Sequence, residues 1–83
     1  MDIEKVPNAI VLFTVKMMKD GYALEDAFSE LFYATKGDSH YLVSGLVQDG
    51  TISEELGEVV YNSIKQIDNK SIFEWYEILK RDL

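Results

Sequence analysis

The sequence predicts an all-α fold, a compact bundle of four or five short helices around one central apolar helix. Three observations carry that expectation. The stretch Ala9-Ile10-Val11-Leu12-Phe13-Thr14-Val15-Lys16-Met17-Met18 is almost uninterrupted in apolar side chains. At about 100° per residue these side chains point nearly all the way round a helix, which asks for neighbours on most sides. Downstream, apolar residues recur at three- and four-residue spacing in segments of helical length. Between the segments stand Asp20-Gly21, Gly37, Asp49-Gly50 and Asp68-Asn69-Lys70, residue types that end one helix and start another.

The central helix is expected from Pro7 to about Lys19. Pro7 suits a first helical turn, where a missing N–H leaves nothing unpaired, and Gly21 suits the position just past a C-terminus. Ile10, Leu12, Phe13, Val15 and Met17 are its expected core. A second helix, Ala23 to Lys36, gathers Leu24, Ala27, Phe28, Leu31, Phe32 and Ala34 on one face, with Tyr33 in the middle of the polar face. A short third helix, capped by Asp38 or Ser39, would turn Leu42, Val43, Leu46 and Val47 inward. Because Gly45 lies inside it and Tyr41-Leu42-Val43 suits a strand, a small α+β fold is the alternative here.

Thr51 and Glu54 have capping-box spacing for a fourth helix running to about Gln66. Its inner face would be Leu56, Val59, Val60, Ile64 and Ile67, and its outer face Glu54, Glu58, Tyr61 and Lys65. Gly57 weakens this helix by roughly 1 kcal/mol relative to Ala, which points to a close helix crossing. Ser71 and Glu74 repeat the capping-box spacing for a last helix ending near Asp82. With Ile72, Trp75, Tyr76, Leu79 and Leu83 on one face and Phe73 and Ile78 on its flanks, the apolar arc is about 220°. A surface helix needs little more than about 100°. No internal repeat, low-complexity segment or linker is evident, so residues 1–83 read as one helical domain.

The chain has 83 residues, a formal net charge of −7, 47% hydrophobic residues and no cysteine. It is too apolar for a disordered chain, and disulfides and thiolate metal sites are excluded. The eight Lys and Arg are scattered among fifteen Asp and Glu, which opposes direct nucleic-acid binding. The apolar run is about half the ~20 residues that cross a bilayer, and the start Met1-Asp2-Ile3-Glu4-Lys5 lacks the basic beginning of a secretory signal. A cytoplasmic protein with no membrane contact is the expectation.

Little in the sequence suggests catalysis. Asp38, Ser39 and His40 are the ingredients of a triad, but neighbours in sequence rarely aim at one another, and capping accounts for Asp38 or Ser39. His40 as a base beside Asp38 is the enzymatic alternative, and it rests only on His40 being the sole side chain that ordinarily titrates near neutrality. One histidine and no thiolate give no metal site. Asp49-Gly50-Thr51-Ile52-Ser53-Glu54 resembles half of a calcium loop, yet aligned on Gly50 the ligand positions fall on Gly45, Val47 and Leu56. Single glycines form no phosphate cradle, and no cofactor is expected. Carboxylate pairs such as Glu25-Asp26 and Glu54-Glu55 sit in first turns, where they complement the helix dipole.

What remains is surface. Tyr33 lies amid Asp26, Glu30 and Glu25, and Tyr61 amid Glu54 and Glu58, on the polar sides of two helices. Tyrosine supplies contact area and a hydroxyl at small entropic cost. The expected function is a non-catalytic protein-binding module, a regulator or inhibitor whose acidic face engages a basic surface on a protein partner, as a nucleic-acid mimic where that partner binds nucleic acid. In size and charge alone the chain is similar to antitoxins, immunity proteins and phage-encoded anti-defence inhibitors, and no family motif accompanies that likeness. The alternative is a homodimer or subunit with Phe73, Trp75 and Ile78 at the seam.

Overall fold

Four helices and the turns that link them arise where the chain can bury an apolar stripe and where it can cap a helix end. The computed structural model describes residues 3–36, 45–65 and 67–83, the side chains of 33–36 excepted. The expectations for Asp38, Ser39, His40, Leu42, Val43 and the Tyr41-Leu42-Val43 strand, and for the side chains of Tyr33 and Ala34, lie outside those residues. A 3₁₀ turn, Ile3–Lys5, leads into α1, Asn8–Lys19. It is followed by α2, Leu24–Lys36, a helical stretch at 45–48, then α3, Glu54–Ile64, and α4, Asn69–Asp82. Among the described residues there is no strand. The radius of gyration, 11.5 Å, is close to the ~12 Å of a folded chain of this length.

α1 packs on α2 and α3, α4 packs on α2 and the 3₁₀ turn, and α2 touches α3. The core joins Ile10, Phe13 and Met17 of α1 to Ala27, Phe28 and Leu31 of α2, Val60 and Ile64 of α3, and Ile72, Trp75 and Leu79 of α4. Thr14 is fully buried with them, and its hydroxyl donates to the Ile10 carbonyl at 2.8 Å, which satisfies this polar group inside the core. Leu46 and Val47 of the short helical stretch pack against this core, as expected.

α1 is not enclosed on all sides. Ile10, Phe13 and Met17 are core, but Leu12 is 59% exposed and Val15 half-buried. The buried stripe Ile10, Phe13, Thr14 and Met17 spans about 100° of the helix, and Leu12 points nearly opposite to it. Pro7 is the N-cap of α1 rather than its first residue, and its carbonyl accepts from the N–H groups of Ile10 and Val11.

The C-terminus of α1 closes as the Asp-Gly pair implies. Gly21 takes φ +98°, its N–H donates to the Met18 carbonyl at 3.1 Å, and the Tyr22 N–H reaches back to Met17 at 3.1 Å. This is a Schellman motif, in which a left-handed residue lets the chain turn back onto the last carbonyls. The same motif recurs at Asp49-Gly50: Gly50 has φ +77° and donates to Val47, and Thr51 donates to Leu46, both at 3.1 Å. The helices beyond the two turns also correspond at one constant offset: Glu25 with Glu54, Ala27 with Leu56, Leu31 with Val60 and Lys36 with Lys65. A helix-turn-helix arrangement is thus used twice, which the side chains alone conceal because Phe28 in the first corresponds to Gly57 in the second.

Both expected capping boxes are displaced. α3 is capped by Ser53, whose hydroxyl accepts the Leu56 N–H at 3.1 Å, not by Thr51. Thr51 is occupied in the Schellman turn, and Ile52 must first be buried in the core. α4 is capped by Asp68, which accepts the Ser71 N–H at 2.9 Å, so Ser71 is already the third helical residue. The inner face of α3 is likewise rotated. Gly57 is buried, Val59 is 52% exposed, and Tyr61 is half-buried against the core.

Candidate functional site

The six residues expected to form an acidic, tyrosine-bearing surface fall on two helices with one spacing. Asp26, Glu30 and Tyr33 on α2, and Glu54, Glu58 and Tyr61 on α3, each sit at i, i+4 and i+7. That spacing lines each triplet along one edge of its helix. On α3, Glu54 and Glu58 are exposed, and neither forms an ion pair among the described residues. Tyr61 departs from the expectation in being only half-exposed. Part of its ring packs on the core, and the Lys65 ammonium lies 6.0 Å from the ring centroid, a cation–π contact one turn further on.

The α2 line is less open. Asp26 is exposed, but its Oδ2 accepts the Ala23 N–H at 3.3 Å, so this carboxylate also holds the start of α2. Glu30 is half-buried, and the Tyr33 side chain lies outside the described residues.

The expected dimer seam is divided. Trp75 is 9% exposed and belongs to the core of its own chain, so it is not available to a partner copy. Its position on the α4 wheel, within one turn of Ile72 and Leu79, places it at the centre of the buried stripe. Phe73 is 53% exposed and Ile78 half-buried, and the wheel sets them about 140° apart on opposite flanks. Phe73 instead leans toward Tyr76, with ring centroids 6.3 Å apart. Tyr76 meets Phe28 edge to face at 5.5 Å, with Lys80 at 5.9 Å from its ring.

Asp68 is the described carboxylate with a shifted titration. The Ser71 hydroxyl, then the Ser71 N–H, bind its charged form and hold it below the ordinary aspartate range. Among the described residues no group of three or more His, Cys, Asp or Glu could hold a metal ion, and no helix is long and apolar enough to cross a membrane. Asp49-Gly50 ends the helical stretch at 45–48.

Sequence reasoning missed the apolar residues left on the outside, Leu12, Met18 and Val59, and Leu83, which was expected on the inner face of α4. Comparison with protein-family models, curated proteins and solved structures finds no match to this chain.

Proposed function

We propose that this protein is a non-catalytic binding module that regulates or inhibits a protein partner by presenting the acidic edge of α3 to a basic surface. The observation that supports it is the alignment of Glu54, Glu58 and Tyr61 along one edge, with both carboxylates solvated and unpaired among the described residues. Carboxylates so placed steer an oppositely charged surface, and the exposed part of a tyrosine supplies a contact that excludes water. Where the partner binds nucleic acid, the two carboxylates stand in for phosphates and the protein competes with that nucleic acid.

The test uses the partner retained by the full chain from the source cell, followed by association kinetics. Raising NaCl from about 50 to 500 mM shortens the screening length from roughly 14 to 4 Å and lowers the association rate about tenfold, with less effect on dissociation. Glu54→Gln with Glu58→Gln lowers the association rate as salt does. Tyr61→Ala speeds dissociation, and Tyr61→Phe, which keeps the packing on the core, separates loss of the hydroxyl from loss of stability. Binding that ignores salt and all of these substitutions rules the reading out.

A further inference from the structure

We draw no further inference here: the strongest candidate, the apolar outer face of α1 with Leu12 and Met18 exposed, has a counterpart of the same kind in exposed Phe73 and Leu83 at the last helix, and nothing in the structure shows what covers either face.

Discussion

Asp68 shows how much one residue can carry at a helix start. Its carboxylate accepts the N–H and the hydroxyl of Ser71, so the folded state prefers it ionised and its titration is depressed. The contribution is therefore present above the ordinary aspartate value and is lost as pH falls through the lower folded value. Asp68→Asn keeps a good cap but cannot titrate. Its acid denaturation curve should lack the component that the native protein loses there, and a carbon-detected NMR titration should find the Asp68 carboxyl below the ordinary range. An ordinary value would remove the reciprocal cap. Neither cap residue was legible as such, because Ser71 and Thr51 have the right chemistry and lie within three residues of the true caps. Competing bonds decided the matter: the Thr51 N–H is used in a turn, and Ser71 itself serves Asp68. Leu12 was misjudged for a different reason. Apolar character permits burial without requiring it, and the position opposite Ile10 and Phe13 has no neighbouring helix among the described residues.

Helix ends, more than helix bodies, define the elements of this chain. Asp20-Gly21 and Asp49-Gly50 were readable because only glycine adopts positive φ at little cost. The three glycines with described surroundings should respond differently to alanine. Gly21→Ala and Gly50→Ala each place a side chain at φ +98° or +77° and should cost about 1 kcal/mol or more, although nothing lies within 4 Å of the added carbon. Gly45, in a helix and also with open space around it, should gain about 0.5–1 kcal/mol as alanine. Thermal denaturation of the three variants checks the set. A loss at Gly45, or no loss at the two turns, would show the turn geometry to be wrong. The faces of α2 and α4 were largely legible from spacing. The face of α3 was legible at Leu56, Val60 and Ile64 and at buried Gly57, but not at Val59 and Tyr61, which flank the stripe on either side and exchange the burial their side chains suggest.

Taken whole, the molecule is an apolar core beneath a strongly acidic exterior. The fold class was legible because pattern, turn residues and composition agree, while the binding surface was not, because exposed carboxylates look alike whether they recognise a partner or only keep the chain soluble. A charge of −7 on 83 residues repels itself in the compact state. Screening should relieve that repulsion, so the urea midpoint should rise as NaCl goes from about 20 to 500 mM, with an unchanged slope. Chloride is the right salt, because sulfate stabilises proteins by exclusion regardless of their charge. A midpoint that stays level or falls would mean that local attractions offset the net charge.

The two Asp-Gly turns also bear on chemical ageing. Asp-Gly is the dipeptide most prone to isomerise: the glycine nitrogen attacks the aspartate side-chain carbonyl, water leaves, and the resulting succinimide reopens mostly as isoaspartate. That attack needs a glycine nitrogen free to lose its proton. Here the N–H of Gly21 is held by the Met18 carbonyl and that of Gly50 by the Val47 carbonyl, each at 3.1 Å. The bonds that finish the two helices therefore shield the bonds most liable to decay, and isoaspartate at either site accumulates only through molecules whose helix end has opened. Its rate of appearance at Asp20 and Asp49 is thus a slow clock for the fraying of each turn.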